Sequence, residues 1–139
     1  MRLRLLLVAV AAGLAIPSAS ATTAKIVHFR TPSKNIACAY SPAEFGHAAT
    51  LRCDILSGLK PQPQKRCELD WVGAVMTRRG KAHPLCAGDT VHDKRAPILR
   101  YGQTWKHRGF GCRSRRIGLK CRNRAGHGFF LSRQRWRTW

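Results

Sequence analysis

Acidic residues are scarce in this chain of 139 residues, which has 6 Asp and Glu against 26 Lys and Arg and a formal net charge of +20. After Asp93 there is no acidic residue at all. A charge imbalance of this size indicates the sign of a preferred partner, namely an anion. It gives no indication of a chemical reaction.

Long hydrophobic runs are also few. The longest extends from Leu5 to Ile16, which is shorter than the roughly 20 apolar residues that a membrane-spanning helix needs. It follows a positively charged start and precedes the small residues Ala19-Ser20-Ala21, as in a secretory signal. We therefore predict a signal peptide at residues 1–21, cleaved after Ala21, and one basic domain at residues 22–139. The mature protein is expected to be secreted or periplasmic.

Helical periodicity is missing after the signal segment, which argues against a helical domain. Short apolar runs bounded by Gly, Pro, Asn and Ser instead predict β-strands joined by turns. The predicted strands are residues 22–30, 36–40, 50–55, 71–77, 81–86, 98–101, 110–114, 119–123 and 129–133. The fold class predicted is mainly β, a small disulfide-stapled sandwich or barrel of hairpins.

Cysteine is present in an even number, six, which in a small exported chain is typical of disulfide bonds. Six cysteines allow 15 connectivities, but consecutive cysteines here are separated by turn-forming residues. Closing a loop of about 10 to 20 residues stabilises a fold by roughly 2.5 to 3 kcal/mol. The spacing therefore favours three sequential bonds: Cys38–Cys53, Cys67–Cys86 and Cys112–Cys121.

A zinc site is the alternative use of these cysteines. Zinc binds cysteine sulfur and histidine nitrogen, and the candidate ligands here are His83, Cys86, Cys67 and His92. No C-x-x-C motif accompanies them, and export favours oxidation of thiols. We accordingly expect no metal and no cofactor.

Positive charge is concentrated near the end of the sequence, with twelve Lys and Arg between Arg100 and Trp139. In a hairpin of residues 110–114 and 119–123, alternation would place the basic residues on the face opposite the cysteines. Arginine binds phosphates and carboxylates bidentately, and tryptophan can stack on bases or sugar rings. The candidate anion-binding residues are Arg113, Lys120, Arg122, Arg133, Arg135, Arg137, Trp136 and Trp139. The alternative is a solvated basic face that only keeps the protein soluble.

Catalytic signatures are lacking. There is no G-x-S-x-G motif, and oxidised cysteines are not nucleophiles. The catalytic candidate is His127, between two glycines, which would act as a base with His107 or His92 and a nearby arginine. A histidine that fills a tight turn is the simpler interpretation. The residues thus favour a protein that is not an enzyme.

Four motifs occur in order along the chain: Thr31-Pro32-Ser33-x-Asn35-Ile36-x-Cys38, Cys86-x-Gly88-Asp89-Thr90, Tyr101-Gly102-x-Thr104-Trp105 and Cys121-x-Asn123-x-x-Gly126-His127-Gly128-Phe129-x-Leu131-Ser132-Arg133. Together they resemble a family of small secreted bacterial proteins of unknown function that is frequent in actinobacteria. The resemblance implies export, paired cysteines and a single domain, and it assigns no catalytic residue. Lys34, where the family pattern has glycine, and a longer loop at 41–49 depart from it.

Three functions remain open from the sequence. The first is a non-catalytic, uncharacterised exported module that binds a polyanion of the cell envelope or medium: nucleic acid, anionic lipid or a wall polymer. The second is a small exported hydrolase, such as a nuclease, that uses His127. The third is an inhibitor or partner of another exported protein, for which acidic targets are favoured because like charges repel at an interface.

Overall fold

The computed structural model describes residues 16–18 and 24–139, and ten β-strands form its secondary structure. The predicted signal peptide, apart from residues 16–18, and the cleavage site after Ala21 lie outside the described residues. The strands are β1 (Val27–Arg30), β2 (Ile36–Ser41), β3 (Thr50–Ile55), β4 (Asp70–Thr77), β5 (His83–Ala87), β6 (Thr104–His107), β7 (Phe110–Arg115), β8 (Gly118–Asn123), β9 (Gly128–Leu131) and β10 (Trp136–Thr138).

The strands form two antiparallel sheets of five strands each. The N-terminal sheet has the order β1-β2-β3-β4-β5 and the C-terminal sheet the order β10-β9-β8-β7-β6. Every strand pairs with its neighbour in sequence, as expected when short connections join antiparallel strands. The sheets pack as a sandwich and not as a closed barrel. The prediction of a mainly β fold is confirmed, and of the two architectures predicted, sandwich or barrel, the structure has the sandwich.

The core lies between the two sheets. Ring centroids of Phe29 and Trp105 are 4.8 Å apart, and those of Tyr40 and Phe110 are 6.0 Å apart, so aromatic side chains join β1 and β2 to β6 and β7. At the other side of the sandwich, β4 lies against β9. Buried apolar side chains from both sheets complete this layer and supply the hydrophobic stabilisation: Leu51, Met76, Leu119, Phe129 and Leu131.

Disulfide bonding is confirmed. The bonds join Cys38 to Cys53, Cys67 to Cys86 and Cys112 to Cys121. In the first and third bonds the two cysteines lie directly opposite each other on paired strands, and all four are buried in the core. Each sheet is thus cross-linked at its centre. The zinc alternative is wrong for Cys67 and Cys86, because a disulfide leaves neither sulfur as a thiolate ligand.

The outer face of the N-terminal sheet is covered by the segment that follows β5. The Asp54 carboxylate accepts hydrogen bonds from Arg52 Nε at 2.8 Å and from the Val91 amide at 3.0 Å. Arg52 also donates to the Asp89 carboxylate at 2.9 Å. Asp54 is consequently buried, and positive charge on this face is neutralised by acids from within the sheet and from the covering segment.

The sequence did not predict the two short edge strands β6 and β10, and the strand predicted at residues 98–101 is wrong. Residues 98–101 make only an isolated parallel bridge, from Ile98 to Arg30, and the chain turns at Tyr101 and Gly102 before a ladder can extend. Edge strands β6 and β10 have only four and three residues, too few to show a clear alternation. Among the residues that the structure describes, none belongs to a helix of the length and apolarity that crossing a membrane requires.

Lys34 occupies a backbone position that favours glycine. Its φ is +60°, in the left-handed region, and its amide donates to the Thr31 carbonyl at 2.9 Å to close a tight turn before β2. A side chain at such an angle is strained by contact between Cβ and the following carbonyl. The geometry explains in physical terms why the resemblance expected glycine here.

Candidate anion-binding site

The C-terminal sheet presents a cationic outer face. Along β7, Cys112 and Ser114 are buried while Arg113 and Arg115 are exposed, and β8 shows the same alternation. Because side chains of a strand point alternately to opposite faces, one face of this sheet packs in the core and the other carries arginine and lysine. We call the latter the cationic face, defined by the outward residues of β7–β10 together with the β9–β10 turn residue Arg135.

A row of side chains crosses four strands of the cationic face. Arg113 pairs with Lys120, Lys120 with Phe130, and Phe130 with Arg137. Like charges placed directly opposite each other in a sheet are destabilising, and no acidic residue occurs after Asp93 to offset them. An arrangement that opposes folding in this way is typical of a functional surface.

A groove of about 460 Å³ runs across this face. Five cationic side chains share its lining with apolar and aromatic ones, and no acidic residue lines it. The lining residues are Arg113, Arg115, Ile117, Gly118, Lys120, Phe130, Arg135, Trp136 and Arg137. The groove therefore combines a strong positive potential with an apolar floor.

Phe130 and Trp136 form the apolar part of the groove. The Phe130 ring lies over Gly118, where an added Cβ would come within 2.6 Å of the ring. The guanidinium of Arg135 lies 5.2 Å from the centroid of Phe130, at cation–π distance. Trp136 Nε1 donates to the Pro61 carbonyl at 2.6 Å, which fixes the indole to the connection before β4.

Trp139 lies beside the groove and is held by four hydrogen bonds, one of them from the Ala82 amide to its carbonyl at 3.4 Å. Its backbone exchanges two bonds of 3.0 Å with Gly128, which extends the pairing of β9 and β10. Its indole Nε1 donates to the Gly126 carbonyl at 3.0 Å. Gly128 provides the space for the ring, because an added Cβ would lie 2.9 Å from Trp139 Cζ2.

Three cations surround the Trp139 ring. Their charged atoms lie 5.0 Å from its centroid for Arg137, 5.7 Å for Lys120 and 5.9 Å for Arg122. Cations over an indole ring gain roughly 0.5–1 kcal/mol each at exposed sites. The ring thus partly offsets the repulsion among these cations, and it places them around a planar apolar surface.

The structure brings most of the predicted anion-binding residues together. Arg113, Lys120, Arg135, Trp136 and Arg137 line the groove, and Arg122 and Trp139 lie beside it. Arg133 instead lines a neighbouring cavity of about 240 Å³, which shares Arg115, Ile117 and Gly118 with the groove.

Arg115, Ile117, Gly118 and Phe130 line the groove and were missed from the sequence. The spacing of Arg115, two residues beyond Arg113 on one strand, was a signal that could have identified it. Phe130 becomes part of the face only through the pairing of β8 with β9.

The three histidines proposed for a hydrolase, His92, His107 and His127, lie in different parts of the fold. His107 packs its ring 4.5 Å from that of Tyr40, and burial, then the charge of Arg108, lowers its pKa. Burial also lowers the pKa of His92, which lies on the outer face of the N-terminal sheet. His127 lies in the turn between β8 and β9, with β7 and β8 between it and the strand of His107. No hydrogen bond or aromatic contact within residues 24–139 joins His127 to either histidine.

Asn123 shows what the closing motif does structurally. Its side-chain amide donates to the carbonyls of Thr77 at 2.9 Å and Gly80 at 2.7 Å, while its Oδ1 accepts from the amides of Ala125 at 3.1 Å and His127 at 3.0 Å. With these four hydrogen bonds, the Asn123 side chain uses both of its N–H donors and its carbonyl oxygen. It thereby links the β8–β9 turn to the β4–β5 loop. This motif position therefore has a structural role in the fold.

Most of the sequence matches a known protein family. Residues 7–138 match the model of a family of unknown function, DUF6636. No curated protein and no solved structure matches the chain. The expectation of an uncharacterised family is confirmed. Because the match covers nearly the whole sequence, the chain belongs to the DUF6636 family of unknown function.

Proposed function

We propose that this protein is a non-catalytic module that binds an anionic partner through the cationic face. One observation carries the proposal: five cations and two aromatic side chains line the same groove, which no acidic residue lines. Arginine forks bind phosphate and carboxylate oxygens bidentately, so several of them on one face can hold successive anionic groups of a polymer.

The positions of the acids support this assignment. The six Asp and Glu all lie between Glu44 and Asp93, and four of them pair with arginines of the same region. Within the described part of the chain, the cations of β7–β10 have no carboxylate partner. Their charge is therefore available to a ligand.

Rigidity is the second support. The Cys112–Cys121 bond cross-links β7 to β8 directly beneath the cationic face, and the Trp139 backbone joins the end of β10 to β9. A surface held in place before binding loses less conformational entropy when it binds. Disulfides of this kind persist in oxidising compartments, so the proposed partner belongs to the cell envelope or the medium.

Inorganic polyphosphate, a phosphate polymer without bases or sugars, is the probe for this proposal. We expect its affinity to fall steeply with added salt, because each neutralised phosphate releases counterions. The triple variant Arg113→Ser/Lys120→Ser/Arg137→Ser should lower the slope of log Kd against log salt by about three, one for each lost contact.

The matched control loses the same charge elsewhere. Lys65, Arg79 and Lys94 are exposed residues outside the C-terminal sheet, and their replacement by serine also removes three positive charges. This control should retain nearly the wild-type slope. Equal losses in the two variants would mean that net charge, and not the cationic face, determines binding.

A further inference from the structure

Two aromatic rings lie along β9 on the cationic face. The Trp139 ring covers Gly128, and Phe130 follows two residues later on the same side of the strand. Since a strand rises roughly 3.3 Å per residue, the two positions are about 7 Å apart. Both side chains are half-buried and lie against the sheet, so together they form a short aromatic platform.

Cations flank this platform on both sides. Lys120 and Arg122 of β8 lie on one side, and Arg137 of β10 lies on the other. All three are within 6 Å of the Trp139 ring, at the 5.0 to 5.9 Å given above. Apolar planar surfaces and positive charges thus alternate over a few ångströms.

This alternation matches one class of polyanion. A single-stranded nucleic acid carries a planar base and a phosphate in every repeat unit, and proteins bind it with aromatic platforms inside positively charged grooves. Sheets that present aromatic residues to unpaired bases are one general form of this recognition. A duplex hides its bases in the stack and would leave Phe130 and Trp139 without partners.

A membrane surface fits the same face less well. Binding of a protein to a lipid interface increases with the apolar area that it inserts. On this face the strongly exposed aliphatic side chain is Ile117, 64% exposed at the tip of the β7–β8 hairpin. Phe130 and Trp139 do not project from the sheet, so they offer rings for stacking and little area for insertion.

We infer that the anionic ligand of the cationic face is single-stranded nucleic acid, with bases stacked on Phe130 and Trp139 and phosphates bound by the flanking Lys120, Arg122 and Arg137. This inference rests on the proposed function and adds the chemical class of the ligand.

The test compares single-stranded DNA of about 12 nucleotides with an abasic oligomer of equal length and charge. The intact protein should bind the base-bearing strand roughly 5- to 140-fold more tightly, the range that stacking of about 1–3 kcal/mol on an aromatic residue provides. Phe130→Leu and Trp139→Leu should each lose most of this preference while their affinity for the abasic oligomer stays within about twofold. Phe45→Leu is the control, because Phe45 is 91% exposed in a loop outside the C-terminal sheet.

The possible outcomes distinguish failure of the inference about nucleic acid from failure of the proposed anion-binding function. Equal affinity for the two oligomers would overturn the inference and leave the proposed function standing. Failure to bind either oligomer or polyphosphate would overturn both. Tighter binding to vesicles of anionic phosphatidylglycerol than to the base-bearing strand, with no preference between the oligomers, would also overturn the inference and would assign the face to lipid.

Discussion

Replacing Asn123 by alanine is expected to lower the free energy of unfolding by about 2 to 4 kcal/mol. The side chain is 7% exposed and makes four hydrogen bonds, two of them to the carbonyls of Thr77 and Gly80. Its removal leaves these carbonyls and two amides of the β8–β9 turn without their partner. Unfolding by denaturant measures the loss.

The local consequence distinguishes this mechanism from general destabilisation. Without Asn123 the β4–β5 loop loses one of its attachments to the C-terminal sheet, so trypsin should cleave at Arg78, Arg79 or Lys81 earlier than in the wild type. Gln134→Ala is the control, because this amide is exposed on a turn and makes no side-chain hydrogen bond within the described residues. If Asn123→Ala were as stable as Gln134→Ala, the structural role of the motif would be wrong.

Replacing Gly128 by alanine is expected to cost about 1 to 3 kcal/mol of stability and to displace Trp139. The added Cβ would collide with the carbonyl oxygen of Cys121 on β8 and would lie 2.9 Å from Trp139 Cζ2. Strand β9 must move away from β8 to relieve the first contact, and the indole must leave its place to relieve the second. Thermal unfolding and the tryptophan emission spectrum report these two effects.

The matched control is Gly111→Ala. Gly111 and Gly128 both pair with Arg122, on opposite sides of it in the same cross-strand row. At Gly111 an added Cβ would meet its nearest atom at 3.8 Å, an ordinary contact. Alanine at position 111 should be neutral or stabilising by about 0.5 kcal/mol, because it restricts the unfolded chain. Similar losses at the two positions would contradict the role given to Gly128.

The hairpin of β7 and β8 is the part of the fold that the sequence predicted best. Two cysteines and four other buried residues recur with period two, and arginine and lysine alternate with them. Such a pattern is local, so it gives both the pairing and the face to which each side chain points. The cationic character of the outer face followed directly.

The groove itself could not be predicted, because it depends on contacts between distant residues. Phe130 reaches the row of cations only through the register of β9 on β8, and Trp136 is fixed by the Pro61 carbonyl, 75 residues away. The role of Asn123 was hidden for the same reason, since its donors reach carbonyls 46 and 43 residues away. The motif includes Asn123, but a motif in the sequence does not show which distant residues a side chain contacts.

The chemical shifts of arginine Nε–Hε groups test the central claim most directly. In ¹⁵N NMR spectra recorded during titration with polyphosphate, we expect the signals of Arg113, Arg115 and Arg137 to shift first and together. Arg66 and Arg79, which are exposed outside the C-terminal sheet, should remain in place until excess ligand is added. Shifts that begin at Arg66 and Arg79, or that are uniform over all arginines, would contradict binding at the cationic face.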